Sequence, residues 1–140
     1  MQSYTYDEIQ IGQEASVAKT ISEYDVYTFT GLIGDFNPVH INTPHAEGTF
    51  FKERIAHGML IASFVSTVLG MYLPGPGCVL ISNAETFLAP VRFGDTITVT
   101  CKVVEKLDKN RVKLESRITN QRGEVVVTGE SLVSIPKTKK

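Results

Sequence analysis

The run from Gly58 to Tyr72 is apolar on nearly every side, with Ser63, Ser66, Thr67 and Gly70 spaced through it. A helix that has no polar face must bury itself against other elements all round, so the rest of the chain is expected to wrap it. The apolar stretch Met59 to Leu73 is too short and too interrupted to span a bilayer, which leaves burial within the protein. Leu73-Pro-Gly-Pro-Gly77 stops the helix, because proline has no N–H to continue the ladder and crowds the preceding turn.

The wrapping is supplied by four strand-like segments, about Cys78 to Arg92, Thr96 to Leu107, Arg111 to Asn120 and Glu124 to Ile135. Ile97, Val99, Cys101 and Val103 alternate with polar residues, as do Val112, Leu114 and Ile118, so each set lies on one face of a half-buried strand. Gly94-Asp95, Asp108-Lys-Asn110 and Asn120-Gln-Arg-Gly123 are turn sequences short enough to predict an antiparallel meander. Upstream, Ile9 to Thr20 holds a Gly12-Gln13 turn and a short strand around Val17. Ser22 with Asp25 matches the Ser-x-x-acid start of a helix carrying Tyr24, Val26, Phe29, Leu32 and Ile33, which ends at Gly34-Asp35. A single helical turn is expected before Glu47, with Thr43 as cap, Pro44 at the first position and Gly48 at the exit. The chain of 140 residues, 42% of them apolar, is long enough for one α+β domain over 1–135, an antiparallel sheet wrapped around a long central helix, with 136–140 a short basic tail.

The chemistry concentrates between Phe29 and Ala46. Asp35 and His40 stand five residues apart around Asn37-Pro38, in a chain with three histidines. Pro38 biases Asn37 toward extended backbone and ends any incoming helix, so both side chains can face one pocket. The bland alternative is an ordinary Asx turn, with carboxylate and amide capping backbone groups and His40 satisfied elsewhere. A carboxylate and an imidazole facing one pocket are candidates for general acid–base work. Such a pair titrates as a unit, so the sequence does not assign the proton to either member.

Phe29, Gly34-Asp35, Asn37-Pro38-Val39-His40 and Ala46 resemble the signature of the MaoC-like (R)-specific enoyl-CoA hydratases, with Ile33 departing from it. Ile55-Ala56-His57-Gly58-Met59, Pro90-Val-Arg-Phe-Gly-Asp95 and Thr128-Gly-Glu130 extend the resemblance over nearly the whole chain. It implies a hot-dog fold and hydration of trans-2-enoyl-CoA to the (R)-3-hydroxyacyl product, or the reverse dehydration, with Asp35 as main base and His40 orienting a water held between them. It also implies a homodimer with active sites near the interface, and no cofactor beyond the CoA carried by the substrate. Gly58 becomes the oxyanion donor on this reading, since an N–H in the first helical turn has no intrahelical acceptor; otherwise it serves only a tight helix entry. Ser66 aligns with a pocket-lining serine of the family, whereas Leu69 reads as packing and His57 as structural or a neighbour of the pocket. Lys52, Arg54 and Arg92 are candidates for the CoA tail by charge alone.

Formal net charge is −1 with scattered basic residues, which argues against nucleic acid as a partner. The first eight residues lack the basic start and apolar run of a signal peptide, so a cytoplasmic location is expected. Cys78 and Cys101 read as buried free thiols. His40 and His45 flank no metal-binding glutamate motif and the cysteines lack zinc spacing, so no metal is expected. No nucleophile elbow, P-loop or dinucleotide fingerprint is present. Two other functions remain open: an acyl-CoA thioesterase, because fold does not fix function, and a non-catalytic acyl-CoA-binding subunit. A dehydratase working on carrier-protein substrates would differ in partner more than in chemistry.

Overall fold

The computed structural model describes residues 2–137, so the end of the basic tail, 138–140, lies outside them. In chain order the elements are β1 (Glu14–Thr20), α1 (Glu23–Ile33), α2 (Pro38–Ile41), α3 (Thr43–Glu47), α4 (Gly58–Met71), β2 (Val79–Phe87), β3 (Thr96–Leu107), β4 (Arg111–Thr119) and β5 (Val125–Ser134). The five strands form one antiparallel sheet in the order β1-β3-β4-β5-β2, curved over α4.

Local chemistry explains the helix boundaries. Ser22 and Asp25 form a reciprocal capping box, with Asp25 N donating to Ser22 Oγ at 3.1 Å and Ser22 N to Asp25 Oδ2 at 2.8 Å. Burial disfavours the Asp25 carboxylate, but the Ser22 bonds and Lys19 outweigh it and hold its pKa below the ordinary value. Gly34 ends α1 in the left-handed conformation at φ 78°. Between Asn37 and Gly48 the chain makes two short helices rather than one turn. Asn42, not Thr43, caps the second, its Oδ1 accepting from His45 N at 2.9 Å. Asparagine accepts at the residue that is still extended, while Thr43 is already helical.

Strands β3, β4 and β5 form the expected meander. Lys109 and Asn110, at φ 60° and 55°, close the first hairpin with two consecutive positive φ values. The meander does not include β2, which lies at the opposite edge, paired with β5. Arg92 to Asp95 is therefore the corner of a crossing connection, not of a hairpin. The reason is long-range. Ala56 N takes Val91 O at 2.8 Å and Gly94 N takes Ile21 O at 2.7 Å, which draws the chain away from β2 and delivers β3 beside β1. Asp95, buried at this corner, accepts from Arg92 N at 2.9 Å, Gln121 Nε2 at 2.7 Å and Arg122 at 3.1 Å. Register shifts at Leu80/Ser82, Val103/Glu105 and Ile118/Thr119 bend the sheet as bulges do.

The inner face of the sheet presents Val99, Cys101, Val103, Val112, Leu114 and Ile118 to Ile61, Val65, Val68 and Leu69 of α4, all buried. Each such side chain contributes roughly 1.5–3 kcal/mol by leaving water. Contact around α4 is incomplete within one chain, because Met59, Ser63, Ser66, Thr67 and Met71 are exposed along one side. Both cysteines are free. Cys101 is fully buried and burial, reinforced by Glu85, pushes its thiol up to about 12; Cys78 is half-buried and also raised by burial.

Candidate active site

Three segments meet at the N-terminal end of α4: the end of α1 with its following loop, α2, and the entry to α4 itself. Gly34 turns the chain so that Asp35 follows the helix directly. Asp35 Oδ1 accepts from Asn37 N at 3.1 Å, and Asn37 Oδ1 accepts from Val39 N at 3.2 Å to start α2, with Pro38 in its first turn. The ordinary turn reading is thus half right. One carboxylate oxygen serves the backbone, and Oδ2 is left to face the two histidines.

His40 is buried, and its Nδ1 lies 2.8 Å from the carbonyl of Ile55. A carbonyl only accepts, so Nδ1 carries the hydrogen and the neutral ring keeps its lone pair on Nε2. That nitrogen is 4.0 Å from Asp35 Oδ2. The separation is too long for a direct hydrogen bond and suits one water donating to both acceptors.

His57 joins the pair more closely than the sequence suggested. It is 2% exposed, with Nε2 at 3.2 Å from the Asp35 carbonyl, 3.3 Å from Thr30 Oγ1 and 3.8 Å from Asp35 Oδ2. Its ring stacks on His40 with centroids 3.8 Å apart at 28°, and Phe29 meets it edge-on at 5.2 Å. Burial lowers its pKa; the Asp35 carbonyl opposes this and His40 reinforces it. Thr30, 2% exposed, is a further member that sequence reasoning passed over. Position hinted at His57: it is one of three histidines and stands at the N-cap of α4, where serine or aspartate is usual, yet makes no capping bond.

Gly58 opens α4 with its N–H uncapped by any side chain. A Cβ there would lie 2.9 Å from two atoms of the Phe87 ring, so any larger residue would have to displace that half-exposed side chain. Phe87, Met59, Phe50, Leu88 and Val91 help line a cavity of about 580 Å³ beside Gly58, almost wholly apolar. Ser66, two turns along α4, is exposed on the open side of the helix and lines neither this cavity nor a polar groove of about 710 Å³ on the outer face of the sheet.

Of the three candidate cations, two are engaged within the chain. Arg54 bonds Glu23 at 2.6 Å and Tyr27 Oη at 3.0 Å and lies over the Phe93 ring, and Arg92 pairs with Glu53 and donates to Phe51 O at 3.0 Å. Lys52 sits at a left-handed turn with φ 65°. The donor atoms of Asp35, His40 and His57 fall within 4.8 Å of one another, a spacing that could be taken for a metal site. The two Nε2 atoms converge on Asp35 Oδ2 at 3.8 and 4.0 Å, and His57 Nε2 also faces Asp35 O at 3.2 Å, an arrangement that equally suits acid–base work.

A curved antiparallel sheet on one long helix, with an acid–imidazole pair at the helix N-terminus, defines a hot-dog domain of the dehydratase kind. The chain belongs to the MaoC-like domain family, whose profile matches residues 6–125. It is 47% identical over 131 residues to an (R)-specific enoyl-CoA hydratase from Rhodospirillum rubrum, covering 94% of this chain and 91% of the relative. It is 40% identical to a 3-hydroxybutyryl-CoA dehydratase from Methylorubrum extorquens, covering 94% and 84% of the two chains. Among solved structures, an unliganded (R)-hydratase from Pseudomonas aeruginosa superposes with a TM-score of 0.93 at 42% identity, covering 98% of this chain and 88% of that one. No helix among the described residues is long and apolar enough to cross a membrane.

Proposed function

We propose that the protein adds water to trans-2-enoyl-CoA to give (R)-3-hydroxyacyl-CoA, and catalyses the reverse dehydration. The observation that carries this reading is the 4.0 Å gap between Asp35 Oδ2 and the lone-pair nitrogen of His40. A water in that gap donates one hydrogen to each acceptor and turns its own lone pair toward the substrate. Asp35 takes a proton as the water oxygen attacks C3, while His40 holds the second O–H. Charge flows to the thioester oxygen, where the Gly58 N–H, backed by the positive end of α4, stabilises the enolate. The proton taken by the pair returns to C2 on the same face, so addition is syn and water is the net reactant. The chemistry calls for no metal or cofactor beyond the CoA that the substrate brings. The (R) outcome is supported by the names of the relatives and by nearly full coverage of their chains.

A second copy of the chain is the proposed partner. β2 is an open edge, and Val79 (61% exposed), Leu80, Ile81, Phe87 and Leu88 leave apolar surface beside the uncovered side of α4. The working location is the cytoplasm.

The test is loss of enoyl-thioester absorbance with crotonyl-CoA, with chiral analysis of the product and a thiol reagent present in parallel. Rapid loss yielding the (R)-alcohol without thiol release is the expected result. Thiol release from a saturated acyl-CoA would mark a thioesterase instead, and binding without turnover would mark a receptor subunit. Gly58→Ala is expected to lower kcat by about 10- to 100-fold with a smaller change in KM, because its Cβ and the Phe87 ring contend for the same space and the N–H moves off the oxyanion. Steady-state kinetics on the folded variant checks this.

A further inference from the structure

We propose that His57 is a positioning residue, held as a neutral imidazole with its hydrogen on Nε2, that fixes Asp35 and His40 on either side of a single water. The inference rests on the hydration chemistry proposed above and assigns a task to a group which that chemistry leaves unused.

The hydrogen position follows from the partners. Nε2 faces the Asp35 carbonyl at 3.2 Å, an acceptor only, so the hydrogen sits on Nε2, with Thr30 Oγ1 at 3.3 Å able to share it. The other ring nitrogen, Nδ1, is buried and has no hydrogen-bond partner among the described residues. Charging the ring would place a second hydrogen on that buried nitrogen, where no described residue accepts it. The full desolvation penalty then falls on the charged form. The titratable groups facing the ring are Asp35 and His40, while α1 presents only Phe29 and Thr30. Asp35 alone would favour a charged ring; the orphaned Nδ1, the burial and the stacked His40 oppose it, and the pKa is lowered.

The neutral ring does two things for the site. Its N–H pins the main chain of Asp35, and with it the direction of Oδ2. Its face, locked by Phe29 on the edge, sets the tilt of His40, whose own Nδ1–H is already committed to Ile55 O at 2.8 Å. Carboxylate and imidazole are thereby held at their water-sized spacing by one side chain that touches both. A charged ring here would draw the Asp35 carboxylate toward itself and weaken it as a base.

Two readouts test this. Tautomer-sensitive ¹⁵N spectra of the wild-type histidines should show His57 with its hydrogen on Nε2 and titrating below the ordinary value of 6.5. A hydrogen on Nδ1, or titration at or above the ordinary value of 6.5, would overturn the proposal. In kinetics, His57→Phe keeps the ring stack and loses the N–H, and is expected to lower kcat by about fivefold or more with KM nearly unchanged, since small displacements of reacting groups are costly. His57→Gln brings an amide nitrogen near the Nε2 position and should recover several-fold over Phe. His57→Asn, whose amide falls near Nδ1, should not. A smaller loss in the Phe variant, or Gln no better than Asn, sinks the idea. The spectra report on the wild-type protein whether or not a variant folds. Failure of crotonyl-CoA turnover in the wild type would count against the hydratase reading and leave the spectra to judge His57.

Discussion

Asp35→Asn is expected to lower kcat for enoyl-CoA hydration by about a thousandfold while moving Tm by no more than a degree or two. The two carboxylate oxygens have different tasks, and the amide keeps only one. Its oxygen still accepts from Asn37 N, at 3.1 Å in the wild type, so the turn into α2 survives. In place of Oδ2 stands an NH₂ group, which donates where a proton must be accepted. The water then loses its base and is held by His40 alone. General-base catalysis is worth roughly 10²- to 10⁴-fold, and a thousandfold corresponds to about 4 kcal/mol of barrier. Little stability is at stake, because the side chain is 45% exposed and its contacts to the histidines, at 3.8 and 4.0 Å, are longer than hydrogen bonds. Initial rates by ultraviolet absorbance, with thermal unfolding of the same preparation, check both halves. A kcat within tenfold of wild type would remove Asp35 as the base; a large drop in Tm would make the carboxylate structural.

The contrast between Asp35 and His57 shows which parts of the site can be read from a chain. Asp35 and His40 are five residues apart, and the Asn37-Pro38 turn between them dictates that they share a side of the backbone. His57 is 22 residues from Asp35, and nothing local says that the two meet. Their meeting depends on Ile55, whose carbonyl holds His40 and whose neighbour Ala56 is tied to Val91 across the molecule. Gly58 is similar: its place in the first turn of a helix was legible, but the Phe87 ring against it belongs to a strand 29 residues on.

The same division runs through the fold. Ser22 and Asp25 mark the start of α1 because a capping box is made within four residues, and β3 and β4 are marked by alternation that each strand carries in itself. The place of β2 was not legible. Gly94-Asp95 has the residues of a tight turn, but whether such a turn joins neighbours depends on Ile21 and Ala56, which take up the backbone groups of the crossing segment. The uncovered side of α4 is the converse case. Its sequence demands contact all round, and the chain alone leaves Met59 and Met71 exposed, on the side proposed above to meet a second copy.

Leu114→Ala should do the opposite of Asp35→Asn, lowering stability while leaving chemistry alone. Leu114 is 1% exposed on the inner face of β4, between Val103 on β3 and Ser131 on β5, in the core that the sheet closes over α4. Truncating a buried leucine removes its transfer free energy and leaves a void that neighbouring strands fill poorly, at a cost of about 2–5 kcal/mol. For a chain of this length that corresponds to a fall in Tm of roughly 6–15 °C. The site is carried by Phe29 to Gly58 at one end of α4, and β4 contributes no group to it, so kcat measured well below the transition should stay within about twofold of wild type. Calorimetry at a fixed protein concentration and crotonyl-CoA rates at low temperature measure the two effects separately, the concentration being held because self-association would itself shift Tm. A fall of less than about 2 °C would mean that α4 is not packed under β4 as described. A collapse of kcat in a folded variant would mean that the sheet, and not only the segments at the helix N-terminus, sets the spacing of Asp35 and His40.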